Sequence, residues 1–203
     1  MSNKIPRFIA FEGIDGSGQT TQATLLANRL QKEGHKVLLT KEPTNNLIGG
    51  LIRGALTHEW KPSNTVMQLL YAADRGHHLE REMLPALEKG FIVISDRYFF
   101  SSIAFGSLNC EMDWLKELNT QFPEPELVFY VDTPTDTALD RIAKNRFGFE
   151  LFEEKEKLNK VKKAYALLAK EYPQTHILTG TESIEDIHEQ IYAVVAKSLG
   201  PKN

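Results

Sequence analysis

Residues 8–20 read Phe-Ile-Ala-Phe-Glu-Gly-Ile-Asp-Gly-Ser-Gly-Gln-Thr, and this stretch decides the fold. It opens with an apolar run, Phe8–Phe11, that is typical of a buried strand, and a helical pattern follows from about Thr20 to Lys32. The glycines between them have the spacing of a phosphate-binding loop, in which backbone N–H groups surround an anion at a helix N-terminus. The segment therefore predicts a strand, a phosphate-binding loop and a helix in succession. The alternative is a Gly-rich turn that binds nothing.

The loop residues have predicted roles toward ATP and Mg²⁺. Thr20 would offer its hydroxyl to the metal ion, because the last residue of such loops is a Ser or Thr that does so. The predicted ATP-binding residues of the loop are Gly13, Gly16, Ser17, Gly18, Gln19, Thr20 and Thr21.

Gln19 stands where the phosphate-loop pattern has a lysine. Glutamine donates hydrogen bonds but carries no charge, whereas phosphoryl transfer depends largely on electrostatic stabilisation. Three outcomes stay open: other cations compensate, turnover is low, or the chain binds a nucleotide without catalysing a reaction. Gln19 is thus both a predicted catalytic position and the main departure from the pattern.

Further apolar runs alternate with helical patterns along the whole chain. The runs are Val37–Thr40, Phe91–Ile94, Leu127–Val131 and a weaker one at His176–Leu178. Helical patterns extend over about Asn64–Glu88, from near Pro134, and over Ser183 to about Ser198. Continuous apolar strands separated by helices indicate a parallel sheet covered on both faces. The predicted fold class is therefore α/β, a three-layer α/β/α P-loop NTPase fold with about five parallel strands, in a single domain over residues 1–203.

Composition narrows the class of ligand and the compartment. The net charge is −3, which gives no basic field for nucleic acid. No apolar stretch approaches membrane-spanning length, so no membrane partner is expected. The single cysteine, Cys110, allows no intrachain disulfide, and the start of the chain is too polar for a signal peptide. We expect a cytoplasmic protein.

Polar residues directly follow the third apolar run, where ligands bind in folds of this type. Asp96 could orient Mg²⁺-bound water or accept a proton from a second substrate, and Arg97 could bridge phosphates. The alternative is a structural Asp–Arg pair. Tyr71 and Arg75 lie four apart on one helix face, where they could stack on a base and bond its edge. The alternative there is a core-edge tyrosine with a surface arginine.

Two further segments supply cations. Arg53, downstream of Glu42-Pro43, could fork onto the phosphate of an acceptor, although a solvated helix-face arginine is the alternative. Arg141 and Arg146 belong to a basic segment, a predicted lid at about residues 141–155, that could close over the phosphates and offset Gln19. The alternative is a solvated helix C-terminus, where cations are favoured anyway.

Taken in chain order, these segments resemble the thymidylate kinase family, and the likeness runs from about Arg7 to Val195. The matching motifs are Phe11-Glu12-Gly13, Glu42-Pro43 with Arg53, Leu69–Arg75 with Tyr71 replacing Phe, Asp96-Arg97-Tyr98 with Ser101–Phe105, Pro125–Asp132 and Thr179–Ser183. Any one piece is weak, whereas the ordered set is specific. The resemblance implies transfer of the γ-phosphate of ATP to dTMP with Mg²⁺. It also implies a homodimer, and the helix from Asn64 would contribute to its interface.

The resemblance also implies residue roles. For the base of dTMP, Tyr71 would stack on thymine and Arg75 would contact its carbonyl edge. For the sugar and phosphate, Asp15 would hold the 3′-hydroxyl, and Arg53 and Arg97 would hold the phosphate. Tyr98 and Phe105 would crowd the 2′ position, and Glu42, Pro43 and Ser101 would complete the site. For ATP, Arg141 would pack on adenine opposite Thr181, and Arg146 would act as the catalytic lid arginine with Asp96 and Arg97. Mg²⁺ would be held by Thr20 and Asp96, partly through water.

Gly106 is a second departure, because many relatives carry a Gln or Thr there that reads the thymine edge. Ser101 or Ser102 would then substitute. A kinase for another deoxynucleotide or nucleotide therefore stays open as an alternative.

Overall fold

A computed structural model of the chain describes residues 7–143 and 151–199. The strands in these residues are β1 Phe8–Glu12, β2 Val37–Lys41, β3 Ile92–Asp96, β4 Leu127–Asp132 and β5 Thr175–Thr179. They form one five-stranded sheet in the order β2-β3-β1-β4-β5, and every neighbouring pair is parallel. Each parallel connection needs a crossover, and helices supply it.

Helices cover the sheet on both faces. They are α1 Gln19–Lys32, α2 Leu47–Leu56, α3 Asn64–His78, α4 Leu84–Glu88, α5 Phe99–Gly106, α6 Met112–Asn119, α7 Thr135–Ala143, α8 Leu151–Glu171 and α9 Ile184–Leu199. A π-helical turn, Leu79–Met83, joins α3 to α4. None of the described helices combines the length and apolar composition that crossing a bilayer requires.

Alternation along the central strands divides the core into two layers. Phe8 and Ala10 of β1 pack into one apolar cluster, with residues of α5 and α8. Ile9 and Phe11 pack into the other, with residues of α1 and α9. Because successive side chains of a strand point to opposite faces, a continuous apolar run buries both faces of the sheet. The predicted three-layer α/β/α fold is confirmed.

The structure refines several predicted boundaries. The expected helix over Asn64–Glu88 exists, but the π-helical turn Leu79–Met83 interrupts its α-helical hydrogen bonding. The predicted helix start at Ser183 is confirmed as a cap, because the Asp186 backbone N–H donates to Ser183 Oγ at 3.0 Å. Helix α8 had no sequence prediction. Its own polar and charged residues gave no clear stop or start signal after α7.

Candidate active site

The register of the sheet brings the polar strand ends together. Phe11 of β1 lies beside Asp96 of β3, and Asp96 lies beside Lys41 of β2. The phosphate loop, Asp96-Arg97 and Glu42-Pro43 therefore leave the sheet at one edge, at the carboxyl ends of its strands. Ligand sites of open parallel sheets lie at this edge.

The loop between β1 and α1 has the geometry of a phosphate cradle. Gly16 and Gly18 adopt φ values of +77° and +99°, which only glycine adopts without strain. Helix α1 begins directly after Gly18, so its first N–H groups face the loop opening. A Cβ on Gly16 would lie 2.4 Å from the Ala138 carbonyl oxygen of α7, so the close approach of α7 also requires glycine there.

This loop lines an open cavity of about 480 Å³, called here the donor cavity. Its lining residues are Ile14, Asp15, Gly16, Ser17, Gly18, Gln19, Thr20, Arg97, Arg141, Ile142 and Glu154. Of the seven predicted ATP-binding loop residues, five line this cavity and Thr21 lines the adjoining slot described below. The seventh, Gly13, is buried and lines neither.

The Gln19 side chain points back into the protein. Gln19 is 4% exposed, and its Nε2 donates to Asp96 Oδ1 at 3.2 Å. Asp96 Oδ2 accepts a hydrogen bond from Thr20 Oγ1 at 2.6 Å. Asp96 therefore pairs with the phosphate loop and not with Arg97, so the structural Asp–Arg pair considered above is not formed.

A slot of about 190 Å³ adjoins the donor cavity. Arg141 lines both, and its guanidinium donates to the carbonyl oxygens of Ser17 and Gly180 at 3.1 and 3.0 Å. These bonds hold the planar guanidinium as one wall of the slot, as stacking on a base requires. Thr181 is exposed and outside the slot lining, whereas its neighbours Gly180 and Glu182 belong to it.

A second cavity, of about 420 Å³, lies between α3 on one side and α5 with its flanking residues on the other, and is called here the acceptor cavity. Helix α3 contributes Asn64, Met67, Gln68, Tyr71 and Arg75. The facing side contributes Arg97, Tyr98, Ser101, Ser102, Phe105 and Asn109, and Asp15, Glu42, Pro43 and Leu56 complete the lining. The lining residues of α3 and of α5 recur at intervals of three and four residues, so each helix presents one face to the cavity. Most of the predicted dTMP-binding residues thus meet in one place.

Arg75 is fixed by a buried network. It is 1% exposed, so the surface arginine considered above is wrong for this position. Its guanidinium donates to Glu42 Oε2, to Ser102 Oγ at 2.7 Å and to Asn119 Oδ1. A buried charge is tolerated only with such pairing. Glu42 therefore contacts Arg75 as well as lining the cavity.

Arg97 connects the two cavities, since it lines both. Its guanidinium donates to Asp15 Oδ1 at 2.6 Å, to the Gly13 carbonyl oxygen at 2.9 Å and to Ser101 Oγ at 3.1 Å. Its backbone φ of +72° is rare for a residue with a side chain and marks the strained positions typical of functional sites. The Phe105 ring lies 5.4 Å from the guanidinium carbon.

Glu12 lies beneath this arginine and is fully buried. Burial raises the pKa of its carboxyl to about 7, although hydrogen bonds from Ser101 and the charge of Arg97 oppose that rise. The Tyr98 backbone N–H donates to Glu12 Oε1 at 2.9 Å, and Tyr165 Oη donates to Oε2 at 3.3 Å. The carboxyl therefore ties β1 to the start of α5 and to α8, and it is linked to Arg97 through the Ser101 hydroxyl, which donates to Glu12 and accepts from Arg97.

One predicted residue lies outside the acceptor cavity. The Arg53 guanidinium donates to the Thr44 carbonyl oxygen, and Arg53 does not belong to the lining of the acceptor cavity. Its contact with an acceptor phosphate stays a prediction. Arg146 and the central part of the predicted lid fall at residues 144–150, outside the described residues.

Sequence reasoning gave no role to three residues that shape the site: Glu12, Gln68 and Asn119. A carboxylate at the end of an apolar strand was the available signal for Glu12. Gln68 precedes Tyr71 by one helical turn, so the helical spacing could have placed it on the same face. Asn119 lies far along the chain, and nothing in its local sequence links it to Arg75.

Comparison with known proteins gives a consistent result. A family model described as "Thymidylate kinase" matches residues 11–191. A protein of Pyrococcus horikoshii described as a probable thymidylate kinase is 42% identical, and the match covers 95% of this chain and 97% of that protein. Proteins with the same description from Thermococcus kodakarensis and Sulfurisphaera tokodaii are each 38% identical, over 95% and 94% of this chain and 98% and 96% of theirs.

Proposed function

The chain belongs to the thymidylate kinase family, and from that premise we propose that it transfers the γ-phosphate of ATP to dTMP, giving dTDP and ADP. The single observation that carries the proposal is the position of Arg97 between the donor and acceptor cavities. A phosphate chain in one cavity and a monophosphate in the other would meet at this guanidinium.

The phosphate loop binds the donor in this proposal. Backbone N–H groups between Gly13 and Thr20 surround the β- and γ-phosphates, and the N-terminus of α1 adds partial positive charge. Adenine enters the adjoining slot and packs on Arg141, whose guanidinium is already held by backbone carbonyls. Gly180, which accepts a hydrogen bond from Arg141, and Glu182 complete the slot beside the guanidinium, in place of the side chain of Thr181.

The acceptor cavity binds dTMP. Tyr71 offers an aromatic face for the base, and Arg75 offers N–H donors toward a carbonyl edge. Tyr98 and Phe105 fill the side on which a ribose 2′-hydroxyl would lie. Asp15 and Arg97 are hydrogen-bonded to each other at 2.6 Å, so a nucleotide that binds both exchanges that contact for its 3′-hydroxyl and phosphate.

The reaction is an in-line displacement. A phosphate oxygen of dTMP forms a bond to the γ-phosphorus, and the bond from that phosphorus to the β,γ-bridging oxygen breaks, which releases ADP. Arg97 neutralises charge on both reacting phosphates and holds them in line, and the lid arginine Arg146 is proposed to add a second positive charge. Catalysis of this kind comes mainly from positioning and electrostatic stabilisation.

Thr20 and Asp96 suit Mg²⁺. Their oxygens lie 2.6 Å apart at the mouth of the phosphate loop, and Mg²⁺ prefers few carboxylates together with phosphate oxygens and water. Among the described residues, no group of three or more His, Cys, Asp or Glu side chains could hold a metal ion. A Mg²⁺ site completed by phosphate oxygens and water does not require such a group. When bound there, Mg²⁺ would neutralise charge on the donor phosphates.

We also propose a homodimer that associates through α2 and α3, which pack on each other. Leu47 and Leu51 of α2 and Val66 and Leu69 of α3 are 82%, 46%, 42% and 47% exposed. Clustered exposed apolar side chains mark protein–protein contacts. The single domain over residues 1–203, the lid and the cytoplasmic location stay predictions.

The experiment is direct measurement of dTDP formed from ATP, Mg²⁺ and dTMP. Asp96→Ala is the control, because it removes the carboxylate that contacts both Gln19 and Thr20. We expect dTDP from the chain and at least a hundredfold less from the variant. No product above the control at saturating substrate contradicts the proposal.

A further inference from the structure

The acceptor cavity contains a side-chain amide that the proposed function does not use. Gln68 of α3 lines the cavity and is 9% exposed. Its Oε1 is buried and accepts no hydrogen bond from the described residues. Buried polar atoms in proteins almost always have a partner, and one without a partner requires an explanation. In a binding cavity, a ligand that completes the hydrogen bond is such an explanation.

Gly106 makes the position of this amide possible. A Cβ on Gly106 would lie 2.9 Å from Gln68 Oε1 and 3.0 Å from its Cδ, so the amide occupies the space that a larger residue would fill. Gly106 has no φ in the left-handed region, so the backbone does not require glycine here. The close contact with Gln68 is therefore a reason for glycine at this position.

The amide also lies where a base edge is expected. Gln68 precedes Tyr71 by three residues and Arg75 by seven, so all three lie on one face of α3. A base stacked on Tyr71 with one carbonyl toward Arg75 directs its neighbouring ring atoms along this face. In a pyrimidine with two carbonyls, those atoms are an N3–H donor and a second carbonyl acceptor. An amide matches that donor–acceptor pair, whereas the guanidinium of Arg75 only donates.

We propose that Gln68 is the residue that reads the N3 edge of the acceptor base: its amide turns from Gly106 toward the cavity when the base binds, and Oε1 then accepts a hydrogen bond from N3–H. This deepens the proposed function, on which it rests for the identity of the ligand. It assigns to Gln68 and Gly106 together a task that the sequence left to Ser101 or Ser102. Ser102 already accepts a hydrogen bond from Arg75 at 2.7 Å, and Ser101 contacts Arg97 and Glu12.

The test measures binding of dTMP and of 3-methyl-dTMP by calorimetry. The methyl group replaces the N3 hydrogen, so it removes the donor that Gln68 would accept from. We expect the wild-type chain to bind dTMP at least tenfold more tightly than the methylated analogue. In Gln68→Ala, which leaves room for the methyl group, we expect that ratio to fall to about twofold, because dTMP loses affinity and the analogue does not.

Two further variants separate reading from folding. Gly106→Ala should displace the amide through the 2.9 Å contact and reproduce the loss of selectivity, and adding it to Gln68→Ala should leave the selectivity ratio unchanged. The same Cβ would lie 2.9 Å from Leu115 Cδ1, so urea unfolding of each variant is measured alongside. Gln31→Ala removes an exposed glutamine of α1 and should leave the ratio unchanged. A purely structural Gln68 would lower the affinity for both ligands equally.

The outcomes distinguish this inference from the proposed function. An unchanged ratio in Gln68→Ala, with dTMP still phosphorylated, contradicts the role of Gln68 and leaves the kinase proposal standing. A ratio that collapses in Gln68→Ala, without any dTDP formation by the wild-type chain, supports the role of Gln68 and contradicts the kinase proposal. Wild-type protein that binds the two ligands equally contradicts the inference.

Discussion

At the scale of single residues, Gln19 determines how strongly the phosphate loop can stabilise a transition state. Its amide is buried against Ser17 and Asp96, so it adds no charge to the donor cavity. The described cations that line this cavity are Arg97 and Arg141. Of these two, Arg97 also lines the acceptor cavity, whereas Arg141 lines the adjoining slot.

Gln19→Lys should therefore raise the turnover number for dTDP formation, by roughly a hundredfold, because it places a positive charge beside the β- and γ-phosphates. The affinity for ATP should change less than the rate, since backbone N–H groups supply most of the binding. Steady-state kinetics of both proteins measures the two effects. An unchanged or lower turnover number would mean that other cations already compensate for Gln19.

Glu12 gives a residue-scale prediction about pH. Its pKa is raised from 4.5 to about 7 in the folded chain, so between these values the folded state holds a proton that the unfolded state has lost. The contribution of Glu12 to the free energy of unfolding therefore falls as pH rises from about 4.5 to about 7, by on the order of 3 kcal/mol, and is then constant.

Glu12→Gln should remove this dependence. Urea unfolding at pH 5, 6, 7 and 8 should show the variant gaining stability relative to the wild-type chain as pH rises, because all other groups titrate alike in both. Glu117→Gln, at an exposed position of α6, is the matched control. A difference between Glu12→Gln and wild type that stays constant across this range would mean that Glu12 titrates at its ordinary pKa.

At the scale of elements, the active site depends on how closely helices approach the phosphate loop. Helix α7 passes so near Gly16 that its Ala138 carbonyl oxygen would lie 2.4 Å from a Cβ. The same helix carries Arg141, which bonds the loop carbonyls. The position of α7 thus couples the loop to the proposed adenine slot.

Gly16→Ala should displace α7 and weaken ATP binding. Gly34 provides a matched comparison. Its φ is +90°, and no neighbouring atom lies within 4 Å of the point where a Cβ would be. Gly34→Ala should cost only the backbone strain of a positive φ, about 1–2 kcal/mol, and leave ATP binding unchanged. Chemical unfolding and ATP titration measure both. Equal effects of the two variants on ATP binding would contradict the coupling through α7.

Elements with strong local signals were predictable from the sequence, and contacts between distant segments were not. The strand from Phe8, the loop and α1 follow from apolar periodicity and glycine spacing, and the structure differs at α1 by one residue. The face shared by Tyr71 and Arg75 follows from helical spacing. By contrast, the burial of Arg75 depends on Asn119, which is 44 residues away, and no local pattern encodes that contact. The direction of Arg53 toward Thr44 likewise depends on how α2 packs.

At the scale of the whole molecule, the exposed apolar residues of α2 and α3 predict association. Leu69→Glu should convert a dimer into a monomer, because it buries an unpaired charge in the proposed interface. Leu167→Glu, at a 55% exposed position of α8, should leave the dimer intact. Light scattering after size-exclusion chromatography measures the mass. A wild-type chain that is monomeric at micromolar concentration would contradict the proposed interface.

For the molecule as a whole, we propose that one sheet edge holds ATP and dTMP in two cavities, both of which Arg97 lines. A comparison of kcat/KM for dTMP, dUMP, dCMP, UMP and thymidine, with ATP and Mg²⁺ at identical concentrations, tests it most directly. The account predicts the highest value for dTMP and none for thymidine, which lacks the phosphate that Arg97 would hold. A higher value for any other acceptor, or phosphorylation of thymidine at a comparable rate, would contradict it.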